Sequence, residues 1–162
     1  MKKYGIWLGF FLLLVYIISQ SMATAIGNDE KINREEIFQT IRKGYEAQYS
    51  IRDQHYSVEK MYDILSPYIT DNFLQVFTDE NHSRSKSSGA HLLTKVPPFT
   101  FTSNTLITFD KEHQLVYIYE RSNRQSPVYQ IVVMQKEKGI WKMASYTENE
   151  TLPIDIRRFG QE

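Results

Sequence analysis

Apolar positions along this chain change period twice, and each change marks a new kind of element. From residue 33 they recur at spacings of three and four: Ile37, Phe38, Ile41, Tyr45 and Tyr49 line one stripe of a helix. Asn33 stands where a cap belongs, and Glu36 is placed to reach back to it. The spacing predicts a helix over 34–51, with Gly44 its weak point. Ser57 is a second cap, and Val58, Met61, Ile64 and Leu65 continue the helical period until Ser66-Pro67 interrupts it. Thr70-Asp71 restarts a helix with Phe73, Leu74, Val76 and Phe77 on its apolar face. Residues 79–98 lose all period, run through Ser, Arg, Lys and Gly, and end at Pro97-Pro98, which predicts a long mobile loop.

Beyond that loop the period is two. Phe99, Phe101, Ile107 and Phe109 share a parity that suits one strand or two short ones. Residues 115–121, 128–136 and 139–147 read as three further strands joined by short turns, an antiparallel meander. Trp141 shares a parity with Met143 and is expected to face the helices, with Phe73 and Phe77 opposite it. Helices first and strands afterwards predict an α+β fold, N-terminal helices packed on one face of a curved, mostly antiparallel sheet of four to six strands. The segment after residue 150 shows no clear period and is expected to be a tail. The domain thus spans 33–150, with 26–32 a polar lead-in and 151–162 the tail.

The first 25 residues follow a different logic. Lys2 and Lys3 precede the uncharged apolar run 6–18, and Ala23-Thr24-Ala25 supplies small residues where a signal peptidase cuts. The run is short for a stable membrane span, so a cleaved secretory signal ending at Ala25 is the expectation, and an uncleaved anchor is the alternative. Export places the domain outside the cytoplasmic membrane, secreted or anchored there, with the membrane touched only through an uncleaved N-terminal segment.

Composition removes several chemistries. With no cysteine, the chain forms no disulfide and has no thiolate for metal, redox or lipid attachment, which suits a bacterial envelope. The formal net charge is 0, and the leader holds two of the lysines, so the exported part is slightly acidic and lacks the basic surplus of a nucleic-acid binder. His55, His82, His91 and His113 show no metal-ligand spacing, no Gly-x-Ser-x-Gly elbow is present, and the glycines are scattered rather than gathered in a phosphate loop. Glu35-Glu36 and Asp79-Glu80 sit near helix ends, where capping explains them. Neither a cofactor nor a metal is expected.

The order of elements, the phrase LSPYITDNF (65–73) and the terminal strand GIWKMASY (139–146) resemble the cone-shaped nuclear-transport-factor-2-like superfamily, particularly small exported proteins of spore-forming Gram-positive bacteria. That resemblance implies a cone-like sheet whose open mouth holds a ligand or an active site. It points to Tyr117, Tyr119, Tyr129 and Tyr146 as cavity residues. An enzyme of that type also needs an ionisable group among them, and no Asp, Glu or His alternates with these tyrosines in mid-strand. Asp110, His113 and Glu120 lie at strand ends, and Glu120 has the parity opposite to Tyr117 and Tyr119. The reading that follows is a non-catalytic binding or accessory domain of the bacterial cell envelope, with an unknown protein or small ligand as partner. Two alternatives stand beside it: a small-molecule carrier or cone-cavity enzyme, and an accessory module or inhibitor of an envelope machine such as a peptidoglycan synthase.

Overall fold

A computed structural model describes residues 32–51, 56–83 and 96–159, with backbone only for 79–83. The expected leader with Ala23 and Ala25, most of the lead-in, most of the expected mobile loop, His55, His91 and the side chain of His82 lie outside the described residues. Residues Asn33–Glu162 belong to one compact unit. Its elements run α1 (Arg34–Ile51), α2 (Val58–Leu65), α3 (Asp71–Ser83), β1 (Leu106–Asp110), β2 (Leu115–Arg121), β3 (Tyr129–Glu137), β4 (Ile140–Asn149) and α4 (Ile154–Phe159).

The capping signals act as the sequence implies, with one exception. Asn33 Oδ1 accepts from the amides of Glu35 and Glu36 at 3.1 and 3.3 Å, and Ser57 Oγ accepts from the Lys60 amide at 3.3 Å. Thr70 Oγ1 accepts from the amide of Phe73 at 3.4 Å and opens α3. The Glu36 side chain stands in solvent, and it is Glu35 that reaches along the helix, to Gln39 at 2.7 Å and Arg42 at 3.4 Å.

The four strands pair antiparallel in the order β1-β2-β3-β4, and the outer strands do not meet to close the sheet. Register puts Phe109, Val116, Met134 and Met143 in one row on the side that faces α1 and α3. Ile118 and Val132 continue that face, and all but Phe109 are fully buried. Trp141 joins them as expected, 4% exposed and edge-on to Phe109 with ring centroids 6.5 Å apart. Those rings come from the two edge strands, ~14 Å apart in a flat sheet, so they reach toward each other across the two central strands. The Lys138-Gly139 turn between β3 and β4 holds both residues at positive φ, 53° and 82°, the geometry of a tight type I′ hairpin.

The linker between α2 and α3 caps the rim of β4 at Met143. The amide of Met143 donates to Tyr68 O at 2.8 Å and the amide of Thr70 donates to Met143 O at 2.9 Å, while Ile69 bridges Met143 in parallel. Helix α1 crosses at the same point. A Cβ on Gly44 would meet the end of the Met143 side chain and lie 3.1 Å from Tyr68 Cβ. Gly44 is thus a close-approach position, which gives the expected weak point a packing reason. Gly44→Leu is expected to cost about 1–3 kcal/mol by overpacking. Gly44→Ala should be near neutral, because the thioether can shift and helix propensity returns up to about 1 kcal/mol. Chemical denaturation of both variants checks the pair.

The structure corrects several expectations. Helix α3 continues through Ser83, five residues into the expected loop, and Val76 faces solvent, 48% exposed. Phe99 and Phe101 form no strand: Phe101 sits at φ 56°, a left-handed value that breaks extended backbone. Tyr49 leaves the core stripe and is 56% exposed. The expected tail forms α4, which packs on the side of the sheet away from the other helices, with Ile156 as its buried anchor.

Candidate functional site

The polar and aromatic groups named by the sequence fall on two opposite faces. On the outer face Tyr117 pairs across from Thr108, Tyr119 from Ile131 and Arg121 from Tyr129. Helix α4 covers this surface: Tyr119, Ile131 and Ile156 form a buried cluster with Tyr117, Tyr129 and Leu152 packed around it. The hydroxyl of Tyr119 lies 3.3 Å from Thr108 Oγ1, and the Arg121 guanidinium lies 6.0 Å over the Tyr129 ring. These three tyrosines therefore line no mouth on the helix side. They form the floor on which the C-terminal helix rests.

Tyr146 is separated from them. A bulge sets Val133 opposite Ser145 and Met134 opposite Met143, leaving Ala144 as the extra residue of β4. The bulge reverses parity, so Trp141 and Met143 before it share a face with Tyr146 and Glu148 after it. Register then sets Glu120, Gln130 and Glu148 side by side across three strands on the helix-facing side. The Tyr146 hydroxyl donates to Glu148 Oε1 at 2.6 Å, Gln130 Nε2 donates to the same oxygen at 3.1 Å, and Arg124 donates to Oε2 at 3.2 Å. The Tyr146 hydrogen bond, resisted by burial and joined by Gln130 and Arg124, holds the Glu148 carboxyl below the usual range. Burial first, and then the Glu148 contact, pushes Tyr146 well above the ordinary phenol value. A carboxylate held ionised with three donors on it is a poor proton acceptor, and a tyrosine so raised is a poor acid near neutral pH. Sequence reasoning passed over Gln130 and Glu148. The i, i+2 placing of Tyr146 and Glu148 in one strand was the available signal.

Glu120 is 7% exposed and tethers the segment before β1. Its Oε2 accepts from the Thr100 amide at 2.8 Å and from Thr105 Oγ1 at 2.6 Å. From the first turn of α1, Arg34 donates to Thr102 O and Thr105 O at 2.7 and 2.6 Å. Phe101 completes the clasp, edge-on to Phe38 at 5.1 Å with the Arg42 guanidinium 4.3 Å over its ring. Glu120 therefore holds a loop to the sheet.

At the other end of β1, Asp110 is 2% exposed. Its Oδ1 accepts from the amides of Glu112 and His113, each at 3.0 Å, and its Oδ2 lies 2.8 Å from His113 Nδ1. Asp110 and Glu120 both spend their carboxylate oxygens on turns and loops.

A cavity of about 450 Å³ opens along α1, lined by Arg42, Tyr45, Glu46 and Tyr49 from the helix and by Val96 and Pro97 across from it. The helical positions follow i, i+3, i+4 and i+7, one face of α1. Its walls are mainly apolar, with Arg42 and Glu46 at the rim, and Tyr49 and Val96 are 56% and 65% exposed. Among the described residues no group of three or more His, Cys, Asp or Glu is placed to hold a metal ion, and no helix is long and apolar enough to cross a membrane.

Helices followed by an open antiparallel sheet, with a short helix on the far side, define an α+β domain. The chain belongs to the DUF3993 family, described as a protein of unknown function, which matches residues 33–122. The match starts at the cap of α1 and ends just past β2, so β3, β4 and α4 lie beyond it. No curated protein and no solved structure matches the chain.

Proposed function

We propose that this is an exported, non-catalytic binding or accessory domain that works on the outer side of a bacterial cytoplasmic membrane. One observation carries the non-catalytic part. The carboxylates an acid–base site would use, Asp110, Glu120 and Glu148, are each engaged in structural hydrogen bonds, and the groove along α1 is mainly apolar. The positive-apolar-small order of residues 1–25 supports export. The likeness of residues 65–73 and 139–146 to cone-type exported proteins of spore-forming bacteria supports an envelope role, since that superfamily includes non-catalytic modules beside enzymes.

The occupant of the groove is a protein segment offering an apolar side chain to Tyr49 and Val96. Both stand largely in solvent, and tyrosine in such a position contributes strongly when covered. A small-molecule carrier is the second reading, favoured by the cavity volume, which falls in the range of ligand pockets. N-terminal sequencing of the protein recovered from the medium and washed envelope tests export: it is expected to begin at Ile26, and full-length chain found only inside protoplasts, protected from added protease, would overturn the reading. A photo-crosslinking residue at Tyr49 in the full chain is expected to give a discrete protein-sized adduct, with none at the exposed control Ile140. A co-purifying small molecule that is lost in Tyr49→Glu would select the carrier instead.

A further inference from the structure

We propose that the protein segment bound in the α1 groove carries a lysine or arginine beside its apolar side chain, and that Glu46 and the Tyr49 ring select that cation. The inference rests on the reading of this groove as a protein-docking site and adds the charge of the occupant.

Two charged side chains stand at the rim, and they differ in what they have left to offer. The Arg42 guanidinium lies 4.3 Å over the Phe101 ring and 3.4 Å from Glu35 Oε1, and the side chain is 34% exposed. Its charge is met from within the molecule, by a carboxylate and an aromatic face. Glu46 stands one turn further along α1 and is exposed, and among the described residues its carboxylate makes no ion pair. Lys43, three residues back, is also exposed, forms no ion pair with it and lies outside the groove lining. Of the two rim charges the negative one is left uncompensated, and it favours a cation in the groove.

Tyr49 adds a second attraction at the same place. It follows Glu46 at i+3, which sets the two side chains about 5–6 Å apart at Cβ on one face of the helix. The Tyr49 ring is 56% exposed, and the face of such a ring attracts a cation through its quadrupole. The fold uses that contact elsewhere: Arg34 sits over Phe38, Arg42 over Phe101, Arg121 over Tyr129 and Lys136 over Trp141. A lysine or arginine entering beside Tyr49 meets a carboxylate and a ring together, while its aliphatic stem covers the apolar wall.

The spacing also describes the occupant. Val96 and Pro97 form the opposite wall and take the apolar side chain. The cation must stand close to that side chain on the same face of the segment, as at i, i+4 of a helix or i, i+2 of an extended chain. An acidic segment meets like charge at Glu46 and is turned away.

Photo-crosslinking in cells that produce the full chain tests the charge. The crosslinking residue replaces Val96, 65% exposed on the opposite wall, so that Glu46 and Tyr49 stay in place. Glu46→Lys is expected to cut the protein adduct at least about fivefold, since it sets like charge against the partner's cation. Glu46→Asp and Lys43→Gln should each keep it within about twofold, and unchanged urea midpoints show that the fold is intact. Once mass spectrometry has placed the crosslink on the partner, the basic residue nearest to it is replaced by Glu. That change should abolish the adduct with the wild-type chain and restore it with Glu46→Lys. An adduct undiminished in Glu46→Lys, or no restoration by the paired swap, overturns the charge inference and leaves the docking groove standing. No adduct from Val96 or from Tyr49 in an otherwise unaltered chain overturns the groove reading itself. An adduct with a second copy of this chain, or with a small molecule, overturns the proposal in favour of that occupant.

Discussion

Trp141→Ala is expected to lower the unfolding free energy by roughly 3–5 kcal/mol, the range for a buried aromatic cut back to a methyl group. The ring is 4% exposed, meets Phe109 edge-on at 6.5 Å and has Lys136 Nζ 5.3 Å from its centroid. Losing it opens a void beside Phe109, where the rings of the two edge strands meet. For a domain this size such a loss is a large share of total stability. Urea midpoints at constant m-value measure it, with Ile140→Ala as control, since Ile140 is 56% exposed and should change little. A difference below about 1 kcal/mol for Trp141→Ala would remove the ring from the core.

Glu120→Ala is expected to cost about 2–4 kcal/mol, because it strips partners from the Thr100 amide and the fully buried Thr105 hydroxyl at once. Glu120→Gln keeps a carbonyl acceptor and should cost clearly less. The pair also bears on catalysis. Carboxylates kept for chemistry tend to be held against stability, and their removal often stabilises a fold. A rise in the denaturation midpoint of Glu120→Gln would mark this residue as functional and would unseat the non-catalytic proposal.

The helices were the most legible part of the sequence. Asn33, Ser57 and Thr70 mark their starts with side-chain oxygens that act locally, and Leu65 before Ser66-Pro67 marks an end, so neighbours in sequence decide the outcome. The meander was legible for the same reason, since Lys138-Gly139 and the turn after Asp110 are local signals. What failed depended on contacts between distant residues. Phe99 and Phe101 keep strand parity, yet Arg34 and Glu120 claim the polar groups of that segment from 68 and 20 residues away, and strand pairing loses. Tyr146 has the wrong parity to share a face with Met143 until Ala144 bulges out, and a bulge leaves no clear mark in a single sequence. The same effect hid the row of Glu120, Gln130 and Glu148. The four tyrosines looked alike as candidates, and only register shows that three lie beneath α4 while one faces the opposite way.

The Tyr68–Thr70 linker, described above as a seam beside Met143, also makes the two rims of the sheet unequal. Main-chain groups at an open rim invite another extended chain to pair with them, and proteins guard such rims by covering or shortening them. The β4 rim is covered by hydrogen bonds from the same chain on both sides of Met143. The β1 rim relies on brevity, with 5 residues, and on its last side chain, Asp110, being pinned to the turn. A further strand, whether from a partner or from a second misfolding copy, would therefore meet a block at Met143 on the β4 rim, and on the β1 rim only its short length and the pinned Asp110.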